Sequence, residues 1–227
     1  MINYYYDLLQ QTPEWYIARA GLLTASDVSK IVTAKKLEYA ENDTSRGHLN
    51  ELLAQRITGY VEPNFRSDDM LRGLDDEKYA KTEYEKHYGQ VKDCGFVTND
   101  KWGFTLGCSP DGLVGENRGI QIKSRKAKYQ IETIIDGIMP DEFRLQVQTE
   151  MLVTERPFWD FISYCGGLPM FTVTILPDPI IQAAIVEAAA EFHARLQMRL
   201  DIYQSRIEDK SIRLVPTERK IEQEIHI

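Results

Sequence analysis

Cys108-Ser109-Pro110-Asp111-Gly112, followed ten residues after the aspartate by Gln121-Ile122-Lys123, constrains this chain more than any other stretch. An aspartate closes one β-like run, and a polar residue and a lysine stand two apart on the next. Side chains alternate faces along a strand, so Gln121 and Lys123 share one face while Ile122 points into a core. Gly112 through Gly119 can fold the second run back beside the first, leaving Asp111 near the other two. That gathers an anionic oxygen, an amide oxygen and an ammonium, close to the set that metal-assisted phosphodiester hydrolysis needs. The carboxylate suits Mg²⁺, which takes few protein ligands and keeps waters and substrate phosphate. The lysine can orient an attacking water or stabilise phosphate charge. Gln121 is the anomaly, a neutral amide where this chemistry wants a second carboxylate.

Read alone, Ser-Pro-Asp-Gly is an ordinary turn whose aspartate bonds its own backbone. A second carboxylate weighs against that reading. Residues 44–58 and 68–88 read as helices joined by a loop from Gly59 to Ser67, where Pro63 breaks the periodicity. In the second helix Met70, Leu74, Glu77, Tyr84 and Tyr88 fall on one stripe, which places Glu77 on the inward face. A buried glutamate needs a cation, a metal or a proton, and an ion pair with Lys123 would serve as well as a metal site.

Thr24 or Ser26 with Asp27 looks like the cap of a short helix reaching about Thr33. β-like runs follow at 91–97, 102–108, 119–123, 158–164 and 170–175, with a helical segment near 141–153. Pro177 and Pro179 introduce a long helix over about 180–207, Ala-rich in its first half and read as core packing. The pattern predicts an α/β or α+β fold, a central mixed sheet flanked by helices rather than a Rossmann repeat. One domain is expected over 1–210, its core at about 68–175, with a charged and poorly ordered tail over 211–227.

The balance of 27 basic and 35 acidic residues, net −8, argues against coating nucleic acid by bulk electrostatics, so any DNA contact must be concentrated locally. Cys94, Cys108 and Cys165 form no C-x-x-C pair, and His48, His87, His193 and His226 are scattered, which leaves no zinc or iron–sulfur site. Met1 to Gln11 lacks the regions of a signal peptide, and no apolar run has the length of a membrane span. A soluble, cytoplasmic protein is expected. Tyr4, Tyr5 and Tyr6 can stack on bases, though a loosely packed N-terminus is the reading adopted.

Five separated motifs together resemble the lambda exonuclease (YqaJ-type, alkaline exonuclease) family of the PD-(D/E)xK nuclease superfamily. They are W-x-x-x-R-x-G-x-x-T-A-S from Trp15 to Ser26, Gly73-x-x-x-Glu77, Cys108 to Leu113, x-Ile122-Lys123 and Gln146-Val-Gln148. The resemblance covers residues 15 to about 175 and implies a restriction-endonuclease-like fold. It also implies Mg²⁺-dependent, processive 5′→3′ degradation of duplex DNA to 5′-mononucleotides, with Mn²⁺ as a substitute and two ions per site. The family further suggests a ring-shaped homotrimer and work beside a single-strand annealing protein in phage or prophage recombination.

Carried over position by position, Asp111 matches the metal ligand, Gln121 the second acidic ligand and Lys123 the motif lysine. Ile122 would offer its carbonyl, and Glu77 would assist a second metal. Arg19, Ser26, Ser109 and Gln148 match the pocket for the terminal 5′-phosphate. Guanidinium, hydroxyl and amide are independently suited to that anion. Without the resemblance, Arg19 reads as a surface ion pair and Ser26 as a helix cap. Lys123-Ser124-Arg125-Lys126-Ala127-Lys128 follows the motif directly, so Arg125 and Lys126 are candidates for phosphate contacts.

Three explanations of Gln121 stand open at this stage: a deliberate Glu-to-Gln change, a natural amide ligand, or a carboxylate elsewhere, such as Glu116 or Glu150, in its place. Two other functions remain beside the exonuclease, another endonuclease or resolvase of the superfamily and a DNA-end binding protein without catalysis.

Overall fold

Short β-branched and aromatic runs pair into two four-stranded mixed sheets in the computed structural model, which describes residues 1–62 and 68–219. Strands β1 (Ile2–Tyr5), β2 (Leu23–Thr24), β3 (Phe96–Asn99) and β4 (Leu106–Cys108) form the first, in the order β1-β3-β4-β2. Strands β5 (Gly112–Val114), β6 (Arg118–Ser124), β7 (Phe158–Tyr164) and β8 (Phe171–Ile175) form the second, in chain order. Only β2 with β4, and β6 with β7, run parallel. The chain passes from one sheet to the other through Ser109-Pro110-Asp111, where proline has no N–H to extend the β4 ladder. A division into two sheets was not expected from the sequence.

Seven helices surround these sheets among the described residues: α1 (Pro13–Arg19), α2 (Val28–Ile31), α3 (Asp43–Thr58), α4 (Asp68–His87), α5 (Ala127–Asp136), α6 (Arg144–Thr154) and α7 (Pro179–Glu208). Helix α6 is buried nearly all round, from Leu145 through Thr154, and packs against β3, β4, β7 and α7. Its burial places its polar side chains in the interior. Helix α7 begins as its sequence predicts, with Pro179 in the first turn and the Asp178 carboxylate accepting from the N–H groups of Ile180 and Ile181. It buries Ile181, Ile185, Ala188, Ala189, Phe192 and Leu196 in the main core with Leu49, Leu52 and Leu53 of α3.

Several expectations need correction. The N-terminus is not loose: β1 pairs antiparallel with β3, the Tyr4 hydroxyl donates to the Thr154 carbonyl, Tyr5 stacks on Phe96, and Lys92 sits over Tyr6. Residues 91–95 lie before β3, and 102–105 before β4. The segment starting at Thr24 is a 3₁₀ turn, Ala25–Asp27, running into α2, and no side-chain cap closes it. On α4, Tyr84 is buried but Tyr88 is exposed, and the side chain of Met70 lies outside the described residues. So do residues 63–67, including Pro63, and 220–227 of the tail.

A buried polar network anchors α4 to the second sheet. The Tyr84 hydroxyl donates to Asp160 Oδ2 at 2.6 Å, while Asp160 Oδ1 accepts from Arg118 and, at 2.6 Å, from Thr174. Glu77 lies two turns before Tyr84, on the same helical face. Anchoring Tyr84 therefore orients Glu77 toward the sheet.

Gly119 faces Trp159 across the β6–β7 pair, and a Cβ there would stand 2.3 Å from the fully buried indole. Gly119→Ala is expected to destabilise the protein by about 1–3 kcal/mol through overpacking. Urea unfolding should show a lower midpoint at unchanged slope.

Candidate active site

The crossover between the sheets positions Asp111. Its Oδ2 accepts the backbone N–H of Ile122 at 2.5 Å and the side-chain amide of Gln121. Strand β6 puts Lys123 on the same face as Gln121, as alternation requires. The three residues singled out by spacing are thus neighbours.

Helix α6 completes the cluster with Gln146, part of the fifth motif, and with Glu150, one of the two carboxylates named as substitutes for an acid at position 121. Gln146 donates its Nε2 to Gln121 Oε1 at 2.8 Å and to Glu150 Oε1 at 2.8 Å, and its Oε1 accepts from Lys123 Nζ at 2.9 Å. A continuous chain of donors runs from Lys123 through Gln146 and Gln121 to Asp111. Glu150, one turn beyond Gln146, is 1% exposed, and its Oε2 has no hydrogen-bond partner. Of the two carboxylates considered as substitutes for a residue-121 acid, Glu116 lies exposed in the β5–β6 turn, and only Glu150 reaches the cluster.

Glu77 approaches from α4, half-buried, with Lys81 3.9 Å away. With Lys81, Asp93, Pro110 and Asp111 it lines a cleft of about 400 Å³. Burial, then the charge of Asp111, pushes Glu77 up to about 7 against the pull of Lys81. Burial and Asp111 likewise push Glu150 up to about 8. Burial also raises Asp111, opposed by Lys123 and the Ile122 N–H. Three carboxyl groups so raised, around Lys81 and Lys123, form a site short of positive charge.

A second pocket opens on the other side of the crossover. Arg19 lies over the Trp15 ring at 4.2 Å and donates to Ser109 Oγ at 2.9 Å, Thr24 Oγ1 at 3.2 Å and Ser26 Oγ at 3.5 Å. Trp15 Nε1 also donates to Ser109 Oγ at 3.0 Å. Arg19, Thr24, Ser26 and Lys30 line a cavity of about 340 Å³, with Asp27 paired to Lys30. Burial lowers the Arg19 pKa, which Asp27 offsets. Gln11 borders both this cavity and the cleft at Glu77, so the N-terminal segment forms the wall between them.

Arg19, Ser26 and Ser109 therefore meet as expected, whereas Gln148 does not join them. Its Oε1 accepts from Asp178 N–H and Gln182, and its Nε2 donates to the Leu176 carbonyl, so the buried amide fastens the β8–α7 connection. Arg125 is held by Glu142 at 2.6 Å and packs over Tyr129 and Phe143, and Lys126 opens α5.

Oxygen donors fit for a hard divalent cation are the Asp111 carboxylate, the Ile122 carbonyl and the unpartnered Glu150 Oε2. Gln121 turns its nitrogen to Asp111 and its oxygen to Gln146, and Glu77 stands across the cleft. No three His, Cys, Asp or Glu residues group tightly among the described residues. A cation that keeps most of its waters needs fewer. The residues present fit such an ion.

Residues 14–157, which include both clusters, match the YqaJ-like viral recombinase domain. An alkaline exonuclease from Laribacter hongkongensis, LHK-Exo, is 32% identical over 86% of this chain and 98% of its own, with a TM-score of 0.77, and its dAMP complex aligns equally well. A phage-related exonuclease from Haemophilus somnus, 15% identical over 82% of this chain and 96% of its own, shares the fold at a TM-score of 0.55. No curated protein sequence matches.

In metal-free protein, Glu150 holds its proton to about pH 8 when folded but releases it near its ordinary 4.5 when unfolded. The folded state binds more protons between those values, so stability falls as pH rises through that window. Glu150→Gln should flatten the decline, seen as a smaller fall in Tm from pH 5 to pH 8 in EDTA.

Proposed function

The chain belongs to the YqaJ-like viral recombinase domain family, and from that premise we propose that it is a Mg²⁺- or Mn²⁺-dependent exonuclease. It would degrade the 5′-ended strand of duplex DNA and release 5′-mononucleotides. The observation that carries this reading is the pair of sites joined by Ser109-Pro110-Asp111, an acid–lysine cluster at one end and an arginine–hydroxyl pocket at the other. The alkaline exonuclease activity of LHK-Exo and its complex with dAMP support it.

A bound divalent cation would supply an ionised water as nucleophile and neutralise charge on the scissile phosphate. Asp111 holds the acidic position, fixed in direction by the Ile122 N–H. Lys123 spends one donor on Gln146 and has others for the non-bridging phosphate oxygens. Glu77 faces Asp111 from across the cleft and can take a proton or support a second ion. In the neighbouring pocket the Arg19 guanidinium donates to the neutral hydroxyls of Ser109, Thr24 and Ser26, which a phosphate dianion would displace through charge-assisted contacts. Anchoring a terminal phosphate there favours ends over internal sites.

Duplex DNA ends are thus the proposed substrate, and a single-strand annealing protein the proposed partner in phage-type recombination. A homotrimeric ring would reconcile a net charge of −8 with DNA binding by turning acidic surface outward and basic residues toward a channel. No helix among the described residues is long and apolar enough to cross a membrane.

Release of acid-soluble nucleotides from 5′-phosphorylated linear duplex with Mg²⁺ tests the proposal. Lys123→Ala is expected to lower kcat by about 10²–10³-fold, the usual effect of one lost transition-state donor, and Asp111→Asn to abolish release. Arg19→Ala should lose about 10–100-fold of the preference for phosphorylated over hydroxyl ends, as fits one charge-assisted contact. If neither this chain nor Gln121→Glu releases nucleotides, a DNA-end binding protein replaces the exonuclease.

A further inference from the structure

The carboxylate of Glu150 is unusual because a helix has delivered it into the interior without a counter-ion. One oxygen accepts from Gln146 and the other has no partner, although the residue is 1% exposed. Such burial is unfavourable for a carboxylate unless a cation compensates. The Lys123 ammonium donates to Gln146 instead. At the same time Gln121, on the strand where a second acid would be expected, performs a task no carboxylate can: its Nε2 donates to Asp111. Gln146 reaches the amide of Gln121, and Glu150, one turn along the same face of α6, accepts from that same Gln146 nitrogen. An amide on β6 and a carboxylate on α6 together keep the negative charge that a single strand glutamate would have supplied.

We propose that Glu150 is the second acidic metal ligand of this protein, its unpartnered Oε2 serving as the donor oxygen, and that Gln121 is a native residue that orients Asp111. The inference rests on the metal-dependent reading above, and its test is arranged so that the two can fail separately.

Mn²⁺ binding, followed by the loss of the free-ion electron paramagnetic resonance signal without DNA, is the first readout. Glu150→Gln should weaken Mn²⁺ affinity at least tenfold, Glu116→Gln should leave it unchanged, and Gln121→Glu/Glu150→Gln should recover much of the loss. Nucleotide release should follow the same order. Unaltered Mn²⁺ affinity in Glu150→Gln, with no gain in the double variant, would overturn the assignment even if the chain degrades DNA. Glu150-dependent Mn²⁺ binding without nucleotide release would uphold the ligand and reject the nuclease. Should Glu150→Gln fail to fold, anomalous scattering from Mn²⁺-soaked crystals of the unaltered protein decides: an ion at coordinating distance from Glu150 Oε2 supports the proposal, and an ion bound to Asp111 but remote from Glu150 refutes it.

Discussion

The hydrogen bond from the Ile122 backbone N–H to Asp111 holds the rest of the site in register. It ties the segment leaving the first sheet to a central strand of the second, so the two sheets meet at a carboxylate. Because the donor is backbone, the contact does not depend on a rotamer, and the side chains of residues 121 and 123 fall to one side of it by strand geometry. Ser109, two residues earlier, is thereby fixed against Arg19 and Trp15.

Around that contact the protein has buried more acid than base. Asp111, Glu77 and Glu150 all have raised pKa values, with burial the largest cause of each. A purely structural cluster would gain from apolar replacements of similar volume. The relay from Lys123 through Gln146 and Gln121 satisfies most polar atoms while leaving one carboxylate oxygen unmet. Stability is thus lowered locally at the proposed site, as at many functional sites.

Much of this was legible in the sequence because it follows strand or helix periodicity. The ten-residue interval from Asp111 to Gln121 is a hairpin, and the stripe on α4 that ends at Tyr84 does turn Glu77 inward. Gln148 shows where the reading ended. It and Gln146 are only two positions apart, but on a helix that is a rotation of about 200°, enough to send one amide to the Lys123 cluster and the other to α7. Choosing between them required knowing which face α6 presents, and a helix buried nearly all round carries no amphipathic signal to reveal it. For the same reason Glu150 could be named only beside Glu116, with nothing to choose between them. β1 escaped notice because its pairing with β3 joins residues nearly a hundred positions apart.

The brevity of the crossover has a further consequence. Ser109 and Asp111 belong to the two pockets, and two residues of chain can separate their backbones by no more than about 7 Å. If the first pocket grips the end of a strand and the second severs it, the interval is set by covalent bonds rather than by loop motion. The protein would then act as a ruler with a single graduation, cutting off pieces of uniform length whatever the bases, because its scale is written in main chain.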